Sequence, residues 1–448
     1  MSSAVEFNNP ESIAGQVQAT RGAARELARL SADQRNKILF AAADGLEARE
    51  AEILKANRED CKSLEIKERK ERVLSGSAFA ALLKRLKTSP TGIKEMAGKV
   101  RDVAKLEDPV GRVLATTELD DGLTLQKVSC PLGVVAVIFE SRPDVVPQVG
   151  SLAIKTGNGL VLKGGAEARQ TNQVLVSIWH DALIAVSPSL RPAICALTDR
   201  ADVARILEMD RDIDLVVPRG STEFVDYVFQ HSRIPVLGHG SGICHIYVDS
   251  SADLKMAIEV IVDAKVQYPA ACNSVEKLLV HQNIAQNFLP AVVVALQSAE
   301  VEVRGCPRTT GLLPGSQIVP ATEEDWHTEY GDLKVTVKIV SGIDEAMEHI
   351  NHYGSRHTES ILTQDERAAE LFMDEVDAAS VFHNASTRFA DGFRYGLGAE
   401  LGISNSKLHA RGPVGMEGLL TYKYKLHGSG QTVTDYANGN RTFKHRPR

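Results

Sequence analysis

KVSCPLGVVAVIFESRPDVVPQVGSLAIKTGNGLVLKGGAEA, residues 127–168, sets the fold class. Two β-prone apolar runs, GVVAVIF and LVLK, flank a stretch of helical character from about Asp144 to Lys155. Strand, helix and strand in this order make a βαβ unit, the building block of a parallel sheet with crossover helices. The alternation continues through a helix over 168–185, the run AICAL, a further helix and DLVVP. A second series starts after HIYVD with a helix over 253–266, then EKLLVH, another helix, VTVKIV, a helix over 344–352, ESILT and SVFHN. Two successive α/β domains are therefore expected.

Upstream, Ala4 to about Leu86 is rich in Ala, Leu, Glu, Lys and Arg, with Ile38, Leu39, Ala42, Leu46, Ile53 and Leu54 at helical spacing. A helical layer is predicted there. Arg112 to Cys130 holds two β-prone runs around Asp120, Asp121 and Gly122, and the Asp-Gly step supplies the positive φ of a hairpin turn, so a projecting hairpin is predicted. Ser386 to Gly415 is Gly-rich and polar without periodicity, which suggests an ordered loop near a ligand.

The chain has 448 residues, too many for one hydrophobic core. Its 51 Lys and Arg against 58 Asp and Glu give a net charge of −7, with no basic block to neutralise a phosphate backbone. No nucleic acid is expected. No apolar run approaches a membrane span, and the first residues read as no targeting segment, so no membrane contact and a cytoplasmic location are expected. The six cysteines lack CxxC spacing, which predicts free thiols and no metal site.

VQYPAACNSVEKLLVH ends a helix at Pro269, places Ala270 and Ala271 before Cys272 and Asn273, and enters a strand. Such a loop can leave a thiol beside backbone N–H groups able to hold an oxyanion; a small buried hydrophobe is the bland alternative. LVLKGGAE sets Lys163 and Gly164 at the carboxyl end of a strand, and PRGSTEF opens a helix at Gly220-Ser221 whose free N–H groups favour an anion. Arg219 adds a charge there or stays solvated.

ESRPD, KGGAEA, VLGHGSG, YPAACNSVE and GISNSKLHARGP occur in this order. Together they resemble the aldehyde dehydrogenase superfamily and, within it, the γ-glutamyl phosphate reductases. The resemblance implies an aldehyde dehydrogenase-like α/β fold: a Rossmann-like NADP-binding domain (1–111 and 131–255), a catalytic domain (256–415), and an oligomerisation hairpin and tail (112–130 and 416–448). It implies NADPH-dependent reduction of L-glutamyl 5-phosphate to the semialdehyde through a thioester on Cys272, the second step of proline biosynthesis. Another acylating or oxidising aldehyde dehydrogenase, or a non-catalytic scaffold, is the alternative.

Residue by residue, the resemblance sets Lys163, Gly164, Gly220, Ser221 and Glu329 on the cofactor, although Glu329 departs from the family's E-x-F-G-P pattern. Asn273 helps hold the oxyanion, and Arg142, or Ser141 if the register moves by one, occupies the position of a further donor. Ser141, Asn384, Ser386 and Arg411 are substrate candidates, while Lys407 and Arg388 are expected to be exposed. Oxidising relatives carry a water-activating glutamate where this chain has Val236, so the thioester is expected to await reduction; His239 is a weaker stand-in for the base. A homodimer or higher homo-oligomer is expected, and a separate glutamate 5-kinase as source of the acyl phosphate.

Overall fold

The computed structural model describes residues 12–71, 76–199, 201–238 and 240–448. His239 lies outside the described residues, as do the first residues of the expected helical layer. The chain divides into two compact units, one of 1–237, 397–402 and 414–448, the other of 238–396 and 403–413. The sequence boundary at 255/256 is corrected to 237/238. The strand Cys244–Val248 is the reason, because it hydrogen-bonds between Val275–His281 and Thr358–Leu362 in the second unit's sheet.

The first unit opens with helices Ile13–Leu27, Ala32–Ala48, Glu50–Glu71, Gly76–Leu86 and Pro90–Lys105. Their starts follow from local chemistry: Ser12 accepts from Gly15 N, Ser31 and Gln34 form a reciprocal capping box, and Ser89 caps a helix with proline in its first turn. The strands Ile194–Leu197, Gly159–Lys163, Val134–Phe139 and Leu215–Arg219 lie side by side in that order, all parallel. Val134–Phe139 is buried along its whole length, as expected for a strand covered on both faces. Val236 forms a parallel bridge with Val216 and packs against the apolar cluster beneath this sheet.

The expected hairpin is Val113–Asp120 paired with Leu123–Pro131, and Gly122 makes the turn at φ +72°. Both of its edges are occupied within the chain. Leu420–His427 pairs along Leu123–Pro131, and Arg446–Pro447 pairs with Thr117 and Glu118. The projecting hairpin predicted from sequence is therefore the centre of a four-stranded antiparallel sheet, whose outer strand Leu420–His427 exposes Tyr422, Tyr424 and Leu426.

The second unit is a seven-stranded parallel sheet in the order Val319–Pro320, Glu302–Gly305, Lys334–Val340, Val275–His281, Cys244–Val248, Thr358–Leu362, Ser380–His383. Helices Leu254–Val266 and Gln282–Ser298 bury Ile261, Phe288 and Val292 against one face, while Ile343–Tyr353 and Glu366–Glu375 bring Ile350 and Phe372 to a separate cluster with Tyr247 and Leu279. Among the described residues, no helix is long and apolar enough to cross a membrane.

Candidate active site

Cys272 sits in the short turn between Leu254–Val266 and Val275–His281, half-buried at the amino end of the sheet. The turn is closed by Ala271 N to Tyr268 O at 3.2 Å and by Ser274 N to Ala271 O at 2.9 Å. That leaves the N–H groups of Cys272 and Asn273 without a protein acceptor among the described residues, two donors beside the thiol. Next to them runs the segment entering Cys244–Val248. Cys244 Sγ donates to Cys272 O at 3.2 Å, and Gly242 passes so close that a Cβ there would stand 2.1 Å from that same oxygen. Burial pushes the Cys244 thiol well above its ordinary range, so it stays protonated as a donor.

Beneath this turn the sheet is polar. Glu276 and Lys277 follow Cys272 on the strand and are both buried, as is Lys265 on the preceding helix. Lys265 Nζ meets Glu276 Oε1 at 3.1 Å, and desolvation raises Glu276 to about 7 and lowers Lys277 to about 8. These groups hold the loop that carries Glu329: Lys277 donates to Thr328 O, Glu276 accepts from Tyr330 N and Gly331 N, and Lys265 donates to Asp332 O. Glu329 in turn accepts from Gly242 N at 2.8 Å. The segment behind Cys272 and the Glu329 loop are thus braced against one another. Nearby, His245 Nδ1 lies 3.0 Å from Glu359 Oε2, with both side chains fully buried. Desolvation lowers the histidine to about 3 and raises the carboxyl well above its usual range, so the contact is a neutral hydrogen bond.

In the first unit the carboxyl ends of the parallel strands carry the remaining candidates. Lys163 ends Gly159–Lys163, is largely buried, and donates to Gly164 O at 2.7 Å. Gly220 follows Leu215–Arg219, and Ser221 caps Thr222–His231 by accepting from Phe224 N, so a free helix N-terminus lies at the sheet's ligand-binding end. A cleft at the same end is lined by Phe139, Leu162, Gly164, Asn172 and Thr198, and Asn172 Oδ1 is buried there without a hydrogen-bond partner. A cation, a helix N-terminus, a glycine-lined cleft and an idle acceptor fit a dinucleotide.

Residues 3–311 match the aldehyde dehydrogenase family. A γ-glutamyl phosphate reductase from Pelotomaculum thermopropionicum is 53% identical over 421 residues, which is 94% of this chain and 94% of that relative. The crystal structure of a γ-glutamyl phosphate reductase from Thermotoga maritima superposes with a TM-score of 0.88 at 41% identity, covering 93% of this chain and 98% of the other. The chain belongs to the γ-glutamyl phosphate reductases, within the aldehyde dehydrogenase family. It is accordingly an oxidoreductase. An acetylating aldehyde dehydrogenase from Geobacillus thermoglucosidasius, at 16% identity and a TM-score of 0.66 over 96% of this chain and 99% of that one, shares the fold.

Against this γ-glutamyl phosphate reductase framework, several sequence candidates have other tasks. Asn273 is buried, and its Nδ2 donates to Ala390 O at 2.8 Å, so it ties the 386–394 segment to the cysteine turn. Asn384, at φ +53°, spends its amide on Thr363, accepting from the N–H and donating to the carbonyl, and so braces a strand end. Ser386 is buried and caps a short turn by accepting from Arg388 N. Arg411 pairs with Asp377 at 2.8 Å, and exposed Lys407 reaches the same carboxylate. Ser141, in the first unit, is held at φ +41° by donating its N–H and hydroxyl to Glu167; neighbouring Arg142 is half-buried.

Arg388 corrects the expectation most sharply. It was expected at the surface, yet it is only 8% exposed. Arg388, the first of two arginines in TRFADGFRYG, has no local mark of burial; its partners Gln267 and Tyr268 lie more than a hundred residues earlier. Glu276, Lys277 and Cys244 also escaped the sequence reading, because each sits inside an apolar strand pattern that gives no sign of its cross-sheet partners.

Proposed function

We propose that this chain reduces L-glutamyl 5-phosphate to L-glutamate 5-semialdehyde and phosphate with NADPH, through a thioester on Cys272, as the second step of proline biosynthesis from glutamate. The observation that carries the reading is the half-buried Cys272, flanked by two N–H donors without a protein acceptor. The thiolate of Cys272 attacks the acyl carbon, and the N–H groups of Cys272 and Asn273 steady the oxyanion that forms. The C–O bond to phosphate then breaks, and the leaving phosphate takes up one proton from water to depart as the dianion, with no strong acid needed. In this reading Lys163, with the helix N-terminus at Gly220-Ser221, would hold the cofactor's phosphates and ribose, and Glu329 would hold its nicotinamide ribose. When bound, that nicotinamide supplies the hydride that turns thioester into aldehyde. Val236 offers no base to water, which protects the thioester until then.

The experiment is the reverse assay. Semialdehyde, NADP⁺ and phosphate should form NADPH, whereas coenzyme A in place of phosphate should support almost none. Equal specificity constants for NADP⁺ and NAD⁺ would remove the role given to Lys163, and NADPH formation independent of phosphate would sink the reading. We also assign a homo-oligomer built on the antiparallel sheet, and a glutamate 5-kinase as source of the acyl phosphate.

A further inference from the structure

Arg388 is a buried cation without an ion pair among the described residues. Its Nε donates to the neutral Gln267 Oε1 at 2.9 Å, and its guanidinium lies 5.9 Å from the centroid of the Tyr268 ring. Gln267 and Tyr268 begin the very turn that ends in Cys272, and Asn273 fastens the chain at Ala390, two residues beyond Arg388. Arg394 meets Arg388 only at its backbone, Nη1 donating to Arg388 O at 2.8 Å, and among the described residues no carboxylate pairs with the Arg388 guanidinium. Burying an unpaired charge is costly, and a protein that does so without supplying a counter-ion leaves the place for one. Nη1 and Nη2, the outer fork of the guanidinium, donate to no protein acceptor among the described residues, and this fork is the part that matches a carboxylate in a bidentate manner.

We propose that Arg388 is the receptor for the α-carboxylate of the glutamyl substrate, and so a specificity-determining residue. This rests on the function proposed above. The α-carboxylate lies four C–C bonds from the acyl carbon, a span of roughly 5 Å, so an anchor beside the cysteine turn suits it. Phosphate must leave in the middle of the reaction, whereas the glutamyl chain must stay through attack and reduction. A deeply braced arginine, fixed by Gln267 and Tyr268, suits the group that stays.

The test compares wild type with Arg388→Lys and Arg388→Met in the direction that consumes semialdehyde, NADP⁺ and phosphate. Butanal, which has no carboxylate, serves as the reference aldehyde. Arg388→Met should lower the preference for semialdehyde over butanal by roughly 10²-fold, as a rise in semialdehyde KM, with the KM of phosphate unchanged. Arg388→Lys, which keeps the charge but not the fork, should recover part of that loss and guards against a folding defect in the methionine variant. A raised phosphate KM with an unchanged semialdehyde KM would overturn the assignment in favour of a phosphate receptor, and an unchanged preference in both variants would overturn it outright. Absence of phosphate-dependent activity in wild type would instead condemn the proposed function, so the two failures are separable.

Discussion

Replacing Gly242 by alanine adds one methyl group and tests how the cysteine turn is held. The new Cβ would lie 2.1 Å from Cys272 O, 2.7 Å from its carbonyl carbon and 2.8 Å from its Cα. Carbon contacts settle near roughly 3.5 Å, and all three atoms are backbone, so no side chain can rotate out of the way. Either the Gly242 segment or the Cys272 turn must retreat by about 1 Å. Overpacking of this kind costs about 1–3 kcal/mol of stability. The N–H that serves Glu329 remains, so the substitution isolates the steric effect. A misplacement of about 1 Å at a reacting group can cost roughly 10²-fold in rate. Gly242→Ala should therefore lower kcat by about that factor and change the rate at which iodoacetamide alkylates Cys272, while the KM for NADP⁺ stays put. A folded variant with kcat within about twofold of wild type would refute the argument.

Iodoacetamide mapping near neutral pH should modify Cys272 while Cys195, Cys244 and Cys306 stay intact, because all three are buried and desolvation pushes Cys195 up to about 12; loss of activity with Cys272 unmodified would be fatal. Acid should destabilise the fold through His245 and His349, lowered by burial to about 3 and about 2. Their folded values lie below the ordinary value, so their contribution is complete above about pH 6.5 and fades as pH falls towards those values. Stability in urea unfolding should fall with pH below that point, and His349→Gln should make that fall shallower; an unchanged slope would contradict the assignment. Tyr424→Lys, on the exposed strand Leu420–His427, should reduce the assembled mass in light scattering, and an unaltered assembly would count against that face as the subunit contact.

The sequence made the parallel sheets readable because Val134–Phe139 and Val275–His281 are apolar runs bounded by helical stretches, and the local pattern agrees with the final packing. The turn that carries Cys272 and the helix start at Ser221 were legible for the same reason: each lies at a junction between neighbouring elements. What stayed hidden depends on distant partners. Glu276 and Lys277 alternate within a strand, where one of them would ordinarily face water, yet both are buried under the Glu329 loop, more than fifty residues away. The tail strand Leu420–His427 reads as a polar stretch and finds its partner at Leu123–Pro131, three hundred residues earlier. Arg388 belongs to the same group, since only the folded chain brings Gln267 to it.

The most direct test of the account is to trap the acyl-enzyme. Mixing the protein with semialdehyde and NADP⁺ in the absence of phosphate, quenching in acid and mapping peptides by mass should reveal a glutamyl adduct on the peptide that carries Cys272. Addition of phosphate before the quench should discharge it. An adduct on another residue, or glutamate released rapidly without phosphate, would contradict the central claim that Cys272 holds a thioester awaiting reduction or phosphorolysis.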